Sequence, residues 1–415
     1  MIIELKVKNF LSFKEEVVFS LLKSSVDNTT LKNNYIKTKD IQILKSSVIF
    51  GPNASGKSNL LQTIHFLKFL ILNSREFDKK KDVKYLPFKL DSKYRTELPI
   101  EISLKYLINK NIYEYNVSIC KNKGVDKNYC FVINFESLIK NNKEIFRRDK
   151  TKVSSKIKHL NKSLLEFQTN KNALFLSKSE VLGFDELAEA YSWFKEKLVI
   201  DLESDKEYGL GYTIKKLKDN KFKDFVLNYL SSADFGNISD IKIIERDIKL
   251  PDDIDEKLKE MILEKEKYKI ITRHKDEKGK LIDFDFEIEE SHGNIKYLGL
   301  LGPIYDMIEN EKTFVVDELD KSLHPEILKL IFDIIHKTNK NTQIISATHS
   351  FPLLMYVNNS EDEIFRRDQI WFTRKKKDQS TELYSLINIG GIRKDLRIFK
   401  AYFDGRLDAF PNVKQ

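Results

Sequence analysis

The sequence predicts an α/β fold with a mixed sheet, an antiparallel β-subdomain and a largely helical insertion. Three observations predict it. A phosphate-loop pattern, Gly51-Pro52-Asn53-Ala54-Ser55-Gly56-Lys57-Ser58, lies between a β-branched apolar run and a helical pattern. Two later apolar runs end in chemistry-bearing residues, Asp317-Glu318 and Thr348-His349. Three alternating segments, 99–107, 112–120 and 129–135, suit an antiparallel meander.

Taken in order, residues 1–8 alternate apolar and polar side chains like a strand and hold no signal-peptide apolar region. Val48-Ile49-Phe50 leads into the loop as a buried strand. Leu60, Leu61, Ile64, Leu67, Phe69 and Leu70 then fall mostly on one helical side. In a strand–loop–helix of this kind, backbone N–H groups and the helix N-terminus face the phosphates. Gly51 and Gly56 permit the tight turn, Lys57 reaches the β/γ-phosphates and Ser58 holds Mg²⁺. The expected nucleotide contacts are Asn53, Ala54, Ser55, Gly56, Lys57, Ser58 and Asn59.

Residues 1–139 form an N-terminal lobe, 140–280 an insertion or arm, and 281–415 a C-terminal lobe. The insertion is more polar and more helical, with candidates at 185–197 and 252–267, and lacks a sustained heptad pattern. Its start is crowded with Lys140, Lys143, Arg147, Arg148, Lys150, Lys152, Lys156, Lys158 and Lys162, opposed only by Glu144 and Asp149. This is a surface for an acidic partner or a phosphate backbone, or else the solvated faces of strands in a lysine-rich chain. Asp283, Asp285 and Glu287 alternate along a strand, as an exposed face or a metal site. Glu290-Ser291-His292-Gly293-Asn294 heads a helical pattern with Ile295, Leu298, Leu301 and Ile304, and Ser291 and Gly293 there could meet an anion. Paired with the loop, Asp317 would support Mg²⁺ opposite Ser58, and Glu318 would orient or deprotonate the attacking water. His349, at a strand end beside the γ-phosphate, would sense or stabilise charge.

Composition bounds the rest. With 415 residues, 41% hydrophobic and 33% charged, the chain is a folded protein of two or three domains, or one domain with a large insertion. A net charge of +9 is mildly basic, compatible with nucleic acid but no proof of it. No apolar run approaches membrane-spanning length, so no membrane contact is expected. Two cysteines, Cys120 and Cys130, exclude a disulfide framework; they are a hairpin bridge or reduced thiols, and the expected location is the cytoplasm.

The loop in the form G-P-N-A-S-G-K-S-N, the serine–glycine signature about twenty-five residues before an apolar D-E strand, and the T-H strand together resemble the SMC/ABC class of P-loop ATPases. Leu5 to Phe13 looks like that class's opening strand and turn. Asp317-Glu318-Leu319-Asp320 with Leu323-His324-Pro325 and the E-S-x-G signature are similar to the OLD-type branch. The tail, from Arg367-Asp368-Gln369 through Tyr384-Ser385-Leu386 to Tyr402-Phe403-Asp404-Gly405-Arg406, resembles RloA-like and abortive-infection ATPases. The chain departs from the pattern in three places. Asn294 stands where the family often has Thr, His324 where many members have an Asp, and no Gln lies between Gln62 and Gln168, where the family places one.

The resemblance implies an ABC/SMC-type ATPase head that closes head to head as a homodimer around ATP and Mg²⁺. The loop of one subunit would face Ser291 and Gly293 of the other, with Lys57, Glu318 and His349 carrying the chemistry. It implies slow hydrolysis and a sensor role in bacterial antiphage defence. OLD proteins usually carry a nuclease domain after the ATPase; the 66 residues after His349 are too few for one, so the effector, a nuclease or toxin, is expected on a separate polypeptide. The tail from Asp368 onward is expected to be dispensable for the nucleotide site. A DNA-repair ATPase clamping DNA directly and an ATP-gated scaffold are the alternatives.

Overall fold

The computed structural model describes residues 1–25, 31–77, 83–122, 131–156, 171–178, 183–202, 208–233, 238–246, 248, 255, 259, 267–357, 362–390 and 397–407. Two compact units emerge. One comprises Met1–Leu202, Glu311–Glu318 and Ile335–Gln415; the other comprises Glu203–Asn310 and Leu319–Ile334. These units cross the sequence divisions: residues 140–202 join the first unit, and the signature segment belongs to the second.

In the first unit, β1 (Ile2–Lys8) alternates as expected, burying Ile3, Leu5 and Val7. It is followed by β2 (Val17–Ser20), the small hairpin of β3 (Tyr35–Lys37) and β4 (Gln42–Leu44), and the fully buried β5 (Ser46–Phe50). Next come α1 (Lys57–Asn73) and the short α2 (Ser92–Thr96), capped by the Asp91 carboxylate. The meander appears as β6 (Ile100–Ile108), β7 (Asn111–Lys121) and β8 (Phe131–Lys140), extended by β9 (Lys143–Asp149) and β10 (Lys152–Ser154). With β1 and β2 they form one antiparallel sheet, ordered β10-β9-β8-β7-β6-β1-β2. Asn141 and Asn142 join β8 to β9 with φ of 48° and 62°, the two positive values that a tight hairpin turn requires and that Asn tolerates. Cys120 lies on β7, half-buried; Cys130 lies outside the described residues.

Leu60, Leu61, Ile64, Leu67 and Leu70 of α1 enter the core that this sheet closes. Phe69 does not, remaining 37% exposed. At about 100° per residue it sits roughly 180° around the helix from Leu60. The helix expected at 185–197 is α3 (Asp185–Ser192) running into a π-helical turn, Trp193–Lys197. That turn brings Trp193 to 4.4 Å from the Tyr106 ring and buries Phe194, tying the segment to the first core. It leads into β11 (Leu198–Asp201).

The basic segment is only partly a surface. Arg148 is fully buried, 3.5 Å from Glu136, and donates to the carbonyls of Lys150 and Ala173. Glu136 also accepts from the Tyr115 hydroxyl and from the Phe175 and Leu176 amides. Lys140 pairs with Glu189 at 2.8 Å. Arg147 lies near Glu144 and Asp149 and over the Phe135 ring. Lys158 and Lys162 fall outside the described residues.

The second unit holds α4 (Tyr208–Lys216), α5 (Asn220–Ser232), the antiparallel strands β12 (Ile238–Glu245), β13 (Tyr268–Lys275) and β14 (Leu281–Asp285), the single turn α6 (Phe286–Glu289), and α7 (His292–Glu309). The 140–280 segment, expected to be largely helical, therefore carries α3, α4 and α5 beside β9 to β13. Most of the helix candidate at 252–267 lies outside the described residues. Helix α7 runs through Pro303, which has no N–H for the Gly299 carbonyl; the Thr213 hydroxyl of α4 donates to that carbonyl instead. Asp283 pairs with Arg273 and Lys242, and Asp285 with Lys269, whereas Glu287 belongs to α6 rather than the strand. Among the described residues no group of three or more His, Cys, Asp or Glu side chains could hold a metal ion.

The chain then returns to the first unit. β15 (Thr313–Val316), α8 (Pro325–Lys337), whose last three residues belong to this unit, β16 (Gln343–Ala347), β17 (Ile370–Lys375), β18 (Thr381–Ser385) and α9 (Ile398–Phe403) follow. The resulting mixed sheet is ordered β11-β15-β16-β5-β17-β18, parallel except for the last pair. Among the described residues no helix is long and apolar enough to cross a membrane.

Candidate functional site

Register in the mixed sheet brings the expected residues to one edge. Val316 is level with Ser346, and Ser346 with Val48, all in parallel strands. The segments beginning at Gly51, Asp317 and Thr348 therefore leave the sheet at the same end, where ligands of open α/β sheets bind. β16 lies between β15 and β5. His349 thus follows the strand that lies between those leading to the loop and to the carboxylates, with β15 and β5 roughly 10 Å apart.

The loop is a shaped turn. Gly51 and Gly56 have φ of 153° and 113°. A Cβ on Gly51 would stand 2.5 Å from the Thr373 carbonyl oxygen, and one on Gly56 would stand 2.3 Å from the Thr381 hydroxyl, so both positions exclude a side chain. Gly56 is the N-cap of α1 and supplies no side-chain cap, leaving that helix N-terminus without one. Lys57 is 5% exposed, and its ammonium donates to the Gly51 and Pro52 carbonyls at 2.8 and 3.0 Å. Asn53, Ala54 and Ser58 are exposed.

A chain of polar side chains supports the loop from beneath. Asn59 donates to the Ser12 hydroxyl at 2.6 Å, and Ser12 bonds Thr381 Oγ1 at 2.7 Å. Thr381 donates to the Ser55 carbonyl at 2.7 Å, and the Ser55 hydroxyl bonds Thr373 at 2.6 Å. The tail expected to be dispensable is therefore part of the site. β17 pairs directly with β5, and the β17–β18 hairpin holds the loop. Sequence reading missed Thr373 and Thr381 because they lie more than 300 positions from Ser55.

On β15 the apolar run ends at Asp317, 7% exposed, which accepts from the Glu318 amide at 3.1 Å. Glu318 is exposed with φ of 49°, and Ala54 in the loop has φ of 59°. Left-handed conformations at non-glycine residues cost free energy and gather at functional sites. The Asp317 amide donates to the carbonyl of Asp201 at 3.0 Å, bringing a further carboxylate residue to this edge. Leu198-Val199-Ile200-Asp201 carries the same apolar-run-to-Asp signal as Phe314 to Asp317, so it could have been found. The Thr348 amide bonds the Ile49 carbonyl, and the Thr348 hydroxyl accepts from Ser350. His349 is half-buried between them.

A Mg²⁺ ion fits the donors present. Ser58 offers a hydroxyl and Asp317 a carboxylate, the hard oxygen set this ion takes together with substrate phosphates.

In the second unit Ser291 is the N-cap of α7, and its hydroxyl accepts from the Asn294 amide at 3.1 Å. A Cβ on Gly293 would stand 3.4 Å from the Ser322 carbonyl and 3.6 Å from the Ser291 hydroxyl, a close-fitting turn. His324 accepts from the Glu326 amide through Nδ1 at the start of α8.

A family model described as "AAA domain, putative AbiEii toxin, Type IV TA system" matches residues 46–355. Similar solved structures include an SMC head bound to the C-winged helix domain of ScpA (14% identity, 92% of this chain and 97% of that one, TM-score 0.44). An SMC head domain from Thermotoga maritima is similar at 13% identity, 92% and 98% coverage and a TM-score of 0.41. An Smc head with an extended coiled coil bound to the C-terminal domain of ScpA derived from Pyrococcus furiosus follows at 14%, 92% and 96%, and 0.40. Among curated proteins nothing matches.

Proposed function

Because the chain belongs to this AAA domain family, we propose that it binds ATP with Mg²⁺ at the loop of residues 51–58, hydrolyses it slowly and acts as a nucleotide-gated dimeric switch. One observation carries the reading: the uncapped helix N-terminus at Gly56, the Asp317-Glu318 strand end and His349 share one edge of the mixed sheet, at the ends of three neighbouring parallel strands. Lys57, now bonded to loop carbonyls, exchanges them for the more negative phosphate oxygens. Ser58 and Asp317 hold Mg²⁺, which neutralises charge on the phosphates when bound. Glu318 accepts the proton of the attacking water, and His349 donates toward the charge that develops. Ser291 and Gly293 complete the site from a second copy of the chain.

Glu318→Gln tests the assignment. The amide is nearly isosteric but takes no proton, so the variant should bind ATP like the parent while turnover falls at least about a hundredfold. Turnover at the parental rate would assign the base to another group.

The output we propose is antiphage defence, with this chain as the sensor and ATPase and the effector on a second polypeptide. The family description names a type IV toxin–antitoxin system, which supports an arrangement of two polypeptides, and its words 'putative AbiEii toxin' are said of this domain family rather than of a partner. The purified chain should not cleave nucleic acid with Mg²⁺ or Mn²⁺ and ATP. Metal-dependent cleavage lost on changing Asp283 and Asp285 would make it a single-chain nuclease.

A further inference from the structure

The signature serine is already committed within its own subunit. Its hydroxyl carries a single proton. That proton goes to Asn294 Oδ1 at 2.8 Å, while the Asn294 backbone amide donates to the same hydroxyl oxygen. The orientation of the Asn294 side chain has a cause. Its Nδ2 donates at 2.6 Å to Glu290 Oε2, and an ionised carboxylate can only accept. The amide is therefore turned with its nitrogen to Glu290 and its oxygen to Ser291. Glu290 is fixed from β13, where the Thr272 hydroxyl and His274 Nε2 meet its Oε1 at 2.6 and 2.7 Å. Its side chain is 6% exposed and Asn294 is 7% exposed, so water does not easily replace the bond between them, whereas Ser291 itself is exposed. Burial alone would raise the Glu290 carboxyl, but the hydrogen bonds from Thr272, His274 and Asn294 outweigh it and keep the group ionised.

We propose that Asn294 latches Ser291 in the isolated subunit, and that Glu290 is the positioning residue that sets the latch by fixing the polarity of the Asn294 amide. The proposal rests on the reading that Ser291 meets a phosphate across a dimer. To donate to that phosphate, Ser291 must first give up Asn294 Oδ1. Each closure of the dimer thus loses one such hydrogen bond in each subunit, and the subunit is biased toward staying open. A residue without an acceptor at position 294 imposes no such bias.

The test uses the full chain, Mg²⁺ and a non-hydrolysable ATP analogue, with self-association followed by analytical ultracentrifugation. Asn294→Ala removes the acceptor. It should lower the analogue concentration needed for half-maximal dimer by about fivefold to tenfold, the equivalent of one hydrogen bond. Glu290→Gln, able to donate to Asn294 Oδ1 and turn the amide around, should shift the curve the same way. Both gains should vanish in a Ser291→Ala background, which a merely structural role would not require. Unchanged or weaker association in a folded Asn294→Ala chain overturns the latch. A gain there with none in Glu290→Gln overturns the role of Glu290. A parental chain that binds the analogue without dimerising, or does not bind it, overturns the composite-site reading and the latch together.

Discussion

Thr381→Val isolates the hydroxyl that joins the tail to the nucleotide loop. The substitution keeps the volume and removes two hydrogen bonds, to the Ser55 carbonyl and to the Ser12 hydroxyl, each 2.7 Å long. Thr381 is 3% exposed, Ser55 2% and Ser12 8%, so the orphaned groups find little water. An orphaned buried polar group costs about 1–3 kcal/mol, so two cost roughly 2–4 kcal/mol when partial relaxation is allowed. The loss divides between the folded unit and the order of the loop. Melting should fall by about 2–4 °C. ATP affinity, read by isothermal titration, should fall about tenfold, because binding must then order a loop that the parent holds ready. Thr381→Ser keeps the hydroxyl and loses one methyl, costing about 1 kcal/mol in stability and little in affinity. If Thr381→Val matches the parent in both assays, the network does not support the loop.

Other outcomes follow from the same geometry. Mixing an inactive Lys57→Ala chain with an inactive Ser291→Ala chain should recover part of the ATPase activity, since one mixed dimer holds one intact composite site; no recovery from demonstrated mixed dimers would count against it. Burial, helped by the neighbouring Lys45 charge, lowers the His336 imidazole to about 3 from its usual 6.5. The unfolded chain therefore binds the extra proton between those values, so this contribution is complete above pH 6.5 and is lost as pH falls toward 3, on the order of several kcal/mol. His336→Gln should flatten that acid limb of an unfolding titration, and an unchanged limb would show that other groups set it.

Legibility depended on range. The loop, its strand and its helix are local patterns, and β1, β6, β7, β15 and β16 follow from alternation or apolar runs that match their burial. Ser291 as a helix cap was legible for the same reason. Arg148 read as a surface charge, although it sits two residues from the buried Phe146 on the same strand face, which was the available signal. The supports of the loop were not legible, because Thr373 and Thr381 act through tertiary contacts that no local spacing announces. The same holds for Glu290, whose partners Thr272 and His274 come from another strand. The exposure of Phe69 was legible in principle, since helical angle alone places it opposite Leu60.

The central claim is that residues 51–58 form an ATP site closed by Lys57. Isothermal titration of the full chain with ATP and Mg²⁺, beside Lys57→Ala, tests it most directly. The account predicts one ATP per parental chain and at least a hundredfold weaker binding in the variant, because the backbone cradle then lacks its buried positive charge. Equal affinity in the two chains, or no binding by the parent, would contradict it.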